Sequence, residues 1–148
     1  KSVGNVILGT VKSGSIKKRD RLTHLPSKAE IEVKSIQLND KEVDEVPSGG
    51  RFGICYKGGL IERGILVPPS SPFSISDTIP GRFTKSPFYR QEVPGKIHAY
   101  SNFQFVEGSI SGSGLSLEKP LAFRSSERIL ITDPGSPGLR ICGIFSAD

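Results

Sequence analysis

The chain has 148 residues, with 20 Lys and Arg against 15 Asp and Glu, a formal charge of +5. Its 17 glycines and 11 prolines interrupt the sequence too often for a helical bundle. No stretch approaches the ~20 apolar residues of a membrane helix, and no N-terminal segment reads as a signal peptide. Cys55 and Cys142 are too few for a disulfide scaffold or a zinc site. Both lie in apolar runs and read as buried free thiols of a reducing compartment. The first residue is not Met, so we expect a processed product or a piece of a longer chain.

Short apolar or alternating runs predict strands at Val6-Ile7-Leu8, Arg21 to Leu25, Ile31 to Leu38, Gly50 to Tyr56 and Gly64 to Val67. Pro68-Pro69-Ser70-Ser71-Pro72 then removes backbone donors and fixes φ repeatedly, so neither a helix nor a central strand passes through it. We expect a linker over 69–81, ending at Pro80-Gly81, between a first domain at 1–68 and a second at 82–148. Further strands are predicted at Phe83 to Tyr89, Lys96 to Val106, Pro120 to Phe123, Arg128 to Thr132 and Leu139 to Phe145. No window keeps a helical apolar period for three turns. The expected fold is all-β: two small antiparallel β-barrels in tandem, closure removing the exposed strand edges. The first part carries 12 basic against 8 acidic residues and the second 8 against 7, so the basic excess lies in the first.

Catalytic chemistry finds little support. His24 and His98, the only histidines, have no carboxylate at a spacing that suggests a triad, and read as strand or surface residues. Gly4 to Gly9 has the outer spacing of a phosphate loop but continues into Thr10-Val11 instead of Lys-Ser. The Ser/Gly stretch from Gly108 to Gly114 reads as a solvated loop. Binding chemistry finds more. Lys12, Lys17, Lys18, Arg19 and Arg21 are opposed only by Asp20. A hairpin through Ser13-Gly14-Ser15 would bring Lys12 to the later cluster, making either a solvated face or a patch for phosphates. Arg51 follows Gly49-Gly50 and opens an apolar strand. Its planar donor fork suits a shallow pocket, or else pairs with Asp44 or Glu45.

The order of fragments in the first part resembles a known family. Gly9-Thr10-Val11, Ser13-Gly14-Ser15-Ile16-Lys17, Asp20-Arg21-Leu22, Leu25-Pro26, Val33-Lys34-Ser35-Ile36-Gln37, Gly50-Arg51-Phe52-Gly53-Ile54-Cys55 and Glu62-Arg63-Gly64 are similar to the second domain of elongation factor Tu-like translational GTPases. The form of these fragments looks most like selenocysteine-specific factors. Lys119-Pro120-Leu121-Ala122 and Leu139 to Phe145 resemble the third domain of the same family, so the likeness covers nearly the whole chain. It implies a non-catalytic, cytoplasmic, aminoacyl-tRNA-binding piece of a translation factor. The ribosome and a GTPase domain of the same polypeptide are its further partners. GTP and Mg would belong to that GTPase domain, because no P-loop, Asp-x-x-Gly or Asn-Lys-x-Asp motif occurs in these residues, and no metal or other cofactor is expected here. The resemblance places Gly50, Arg51, Phe52 and Gly53 at the pocket for the aminoacyl 3′ end. Lys12, Lys17, Lys18 and Arg19 then stand as candidates for RNA phosphates. The alternative is a protein-interaction module docking on a GTPase domain or another protein without touching tRNA.

Overall fold

The computed structural model describes residues 4–112 and 114–148. Residues 1–3, which open the first expected domain, and Ser113 of the Ser/Gly stretch lie outside the described residues. The chain divides near Pro72 into two compact units. In the first are β1 (Asn5–Thr10), β2 (Ser15–Lys17), β3 (Arg21–Leu25), β4 (Ala29–Leu38), β5 (Lys41–Val43), β6 (Glu45–Pro47), β7 (Arg51–Lys57) and β8 (Ile65–Val67). In the second are β9 (Ser74–Lys85), β10 (Ile97–Ser101), β11 (Gln104–Ser111), β12 (Gly114–Phe123), β13 (Arg128–Thr132) and β14 (Ile141–Ala147).

The first unit is a sheet in the order β1-β7-β4-β3-β8, with β5 added to β4, and a separate ribbon of β2 and β6. Both sheets send side chains to one core, including Ile16 and Val46 from the ribbon and Ile31, Val33, Ile36, Ile54 and Tyr56 from the larger sheet. Strict alternation would turn Ile36 outward after Ile31 and Val33. The register shift between Val33 and Ser35 inserts Lys34 as an extra residue and returns Ile36 to the core. The β4–β5 turn is made by Asn39 and Asp40, both left-handed, at φ 51° and 63°. The three-residue strands β2, β5 and β6 were too short to leave a run in the sequence.

The second unit is a closed barrel in the order β10-β11-β12-β9-β14-β13. Its core holds Ile79, Ile97, Leu115, Leu121, Ile129, Ile131, Cys142 and Phe145. Cys142 is buried as expected, whereas Cys55 is only half-buried. Residues 74–81, expected above to be linker, are strand. The first half of β9 pairs with β12 and the second with β14, and the partner changes at Pro80-Gly81. The proline carbonyl still accepts a bond from Asp148 N at 3.0 Å. A Cβ at Gly81 would collide with the Ser146 carbonyl and the Phe145 ring. The dipeptide is therefore a bend inside a strand. The run from Lys96 to Val106 is two strands, because Asn102 and Phe103 both take left-handed φ, 46° and 62°. Phe103 gives no turn signal in the sequence. Tyr89, expected to end a strand, enters the core from the loop after β9.

Candidate functional site

Arg51 starts β7 directly opposite Thr10, and the β1–β7 ladder alternates faces from there. Thr10 and Arg51, Leu8 and Gly53, and Val6 and Cys55 share the outer face. Gly9 and Phe52, and Ile7 and Ile54, share the inner one. The arginine is exposed, and among the described residues no carboxylate lies within ion-pair distance of it. The pairing with Asp44 or Glu45 considered above is not formed. Arg51 thus presents a planar cationic fork beside an apolar row in which Val6 is 58% and Leu8 84% exposed.

The neighbours of Arg51 divide. Gly53 leaves the outer face low: a Cβ there would press on Leu8 Cδ2 at 3.3 Å. Gly50 is glycine for a packing reason, since a Cβ would collide with Val46. Its carbonyl accepts from Val11 N and its N–H donates to Pro47 O, both at 3.0 Å. Phe52 faces inward and packs against the first core, with Gly9 giving its ring room. The structure therefore brings Arg51 and Gly53 to one surface and sends Phe52 to the other side of the sheet.

The basic cluster is built differently from the expected hairpin. β2 pairs with β6 and not with β1, so Ser13-Gly14-Ser15 is a crossing between sheets. Lys12 is tied to the turn before Arg51, its carbonyl accepting from Ser48 Oγ at 3.1 Å. Lys17, Lys18 and Arg19 form a tight turn. Asp20 N donates to Lys17 O at 3.1 Å, Asp20 Oδ2 accepts from Lys17 N at 2.7 Å, and Arg19 has φ 74°. Lys17 pairs with Glu45 at 3.7 Å and Lys18 with Glu42 at 3.2 Å. With Asp44 and Glu45 lining the same shallow depression, this turn is nearly balanced in charge. Lys12 and Arg19 have no ion-pair partner among the described residues.

The two histidines lie in β3 and β10. His24 is buried, with Nδ1 at 2.6 Å from Ser27 Oγ. His98 Nε2 lies 3.6 Å from Glu107 Oε1. Glu107 is ion-paired to Lys96, which holds its carboxyl below the usual range and raises the Lys96 ammonium. Among the described residues no group of three His, Cys, Asp or Glu is placed to hold a metal ion. No helix there is long and apolar enough to cross a membrane. The outward row of Val6 and Leu8 was missed. The signal was present, because three consecutive apolar residues in a strand place at least one on each face of the sheet.

No family model matches the sequence. An uncharacterised protein of Methanocaldococcus jannaschii is 29% identical over 97% of this chain and 49% of its own length. The mouse selenocysteine-specific elongation factor is 28% identical over 79% of this chain and 20% of its own. The translation elongation factor SelB of Methanococcus maripaludis superposes over the entire chain with a TM-score of 0.83 at 24% identity. The fold of the two units is that of the β-barrels of elongation factor Tu-like translation factors. The match takes in both units and all of the strands that position Arg51. The chain spans about half of the M. jannaschii protein and 40% of SelB, so it corresponds to a part of each.

Proposed function

We propose that this chain is the aminoacyl-tRNA-binding barrel portion of a selenocysteine-factor-like elongation GTPase. On this reading GTP is bound and hydrolysed by another part of the parent protein, and tRNA and the ribosome are the partners. The observation that carries it is Arg51: an exposed guanidinium at a strand start beside Gly53, without a carboxylate partner among the described residues. The likeness to selenocysteine-specific factors supports the choice of ligand. A selenol ionises more readily than a serine hydroxyl, so a fixed cation favours selenocysteine over its serine precursor. Lys12, Lys17, Lys18 and Arg19 contact phosphates and carry no sequence information.

Filter binding of selenocysteinyl-, seryl- and deacylated forms of one tRNA tests the reading. Loss of a charge-assisted bond in Arg51→Ala should weaken selenocysteinyl-tRNA by about tenfold or more. Deacylated tRNA should be nearly unaffected. Equal losses for all three would remove Arg51 from the pocket. The outward Val6 and Leu8 favour a second reading, in which this face docks a protein. In that case affinity for the partner should depend far less on salt than tRNA affinity does.

A further inference from the structure

The outer face of the second barrel carries a pattern that the Arg51 pocket does not use. Register places Phe105 opposite Tyr100, and Tyr100 opposite Leu130. Two residues before Leu130 on β13, Arg128 lies opposite Ser146, and Ser146 lies opposite Arg82. Side chains of opposed residues share a face, and diagonal neighbours are within reach of long side chains. One surface across β11, β10, β13, β14 and β9 therefore presents two rings, then Arg128, Ser146 and Arg82.

The rings are open to solvent, Tyr100 39% and Phe105 43% exposed. Their centroids are 5.0 Å apart, and His98 stands edge-on to Phe105 at 4.7 Å, which holds the ring in place. Phe103 is 73% exposed at the tip of the same hairpin. Among the described residues neither Arg82 nor Arg128 has a carboxylate within ion-pair distance. The nearby carboxylates are engaged: Glu107 by Lys96, and Glu127 by Ser101 and Asn102. Two like charges flanking a hydroxyl, about 10 Å apart across two strand spacings, are stabilised by an anion between them. Arg128, Ser146, Thr84 and Ile144 line one shallow depression along β14.

We propose that this face binds an unpaired nucleic-acid strand. One base stacks on Tyr100 and Phe105, and a phosphate further along the strand lies between Arg128 and Arg82, accepting a bond from Ser146. Stacking platforms beside cationic rows suit single strands, because a duplex keeps its base faces covered. An acidic peptide would use the arginines and leave the rings idle.

The test uses the whole chain and labelled eight-nucleotide oligo(U) and oligo(dT), followed by anisotropy. A self-complementary duplex and poly-glutamate serve as competitors. Phe105→Ala should weaken both oligonucleotides about 5- to 150-fold. Arg82→Gln with Arg128→Gln should lower the salt slope by about 1.4. The chain has no tryptophan, so Tyr100→Trp supplies a single reporter that reads stacking directly, independently of any loss of fold. Its fluorescence should be quenched by the single strands and not by duplex or poly-glutamate. Binding without quenching, or equal affinity for the duplex, would overturn the stacking role. Displacement by poly-glutamate at matched charge would mark a protein face and overturn the proposal. Preference of oligo(U) over oligo(dT) would identify RNA as the source. Arg51→Ala should leave all of this unchanged, and Phe105→Ala should leave the preference for charged tRNA unchanged, so the two readings fail separately.

Discussion

Asp133 is 7% exposed, a position where a carboxylate needs hydrogen bonds to stay charged. Tyr89 OH donates to its Oδ2 at 2.6 Å, and Gly135 N to its Oδ1 at 2.8 Å. The tyrosine bond is the largest influence holding the carboxyl below its usual range, and the same bond, with burial, pushes the Tyr89 phenol well up. The signs follow by linkage. Asp133 has a lower pKa folded than unfolded, so its contribution is present above about pH 4 and is lost as pH falls through the folded value. Tyr89 has a higher pKa folded, so its contribution is present below about pH 10 and is lost as pH rises through the folded value. Cys142, raised by burial, adds to the alkaline loss. Tyr89→Phe should therefore lower stability at neutral pH, flatten the acid limb and remove part of the alkaline one. Thermal melts from pH 3 to 11 check this, and an acid limb as steep as that of the parent chain would contradict it.

At the level of elements, the β11–β12 junction shows how a side chain can stand in for a ladder. The two strands pair only from Gly108–Leu117 to Ser111–Gly114. Further along, buried Gln104 donates through Nε2 to Ala122 O and accepts from Ala122 N through Oε1, both at 2.8 Å. Removing the carboxamide leaves both backbone groups of Ala122 buried without that partner. Gln104→Ala should cost about 1–3 kcal/mol, read from the urea midpoint at unchanged m-value. A cost within experimental error would mean that water replaces the amide. Nothing in the sequence marked this residue, because a glutamine inside an apolar alternation looks like an outward position. β3 and β13, by contrast, could be read to the residue, since each is a short run with apolar residues bounded by turn formers. What sequence patterning misses is any element whose cause is tertiary. β9 continues through Pro80-Gly81 because two different partners take its two halves. Phe103 adopts a turn conformation because the hairpin on either side of it forces it to.

Over the whole chain, the charge count placed the basic excess in the first part, and the resemblance singled out Arg51 as a candidate. What neither could give is which cations are neutralised in the fold. Lys17 and Lys18 face Glu45 and Glu42, whereas Lys12 and Arg19 face no carboxylate among the described residues. Exposed ion pairs are worth at most about 1 kcal/mol, so a phosphate can break them. Doing so frees a carboxylate that repels the same phosphate. The four cations are therefore unequal for RNA although the sequence makes them look alike. Replacing Lys12 and Arg19 with Gln should reduce the salt slope of tRNA binding by about 1.8, close to the full value for two phosphate contacts on a duplex arm. The same change at Lys17 and Lys18 should reduce it by less than half as much. Titrations between 50 and 200 mM salt, about the range over which such contacts are lost, measure both slopes. If the two double variants lose equally, the ion pairs open freely in the complex and the cluster acts as one patch. If neither changes the slope, tRNA does not cross this turn, and the docking of a protein on the Val6 and Leu8 face becomes the better account of the first unit.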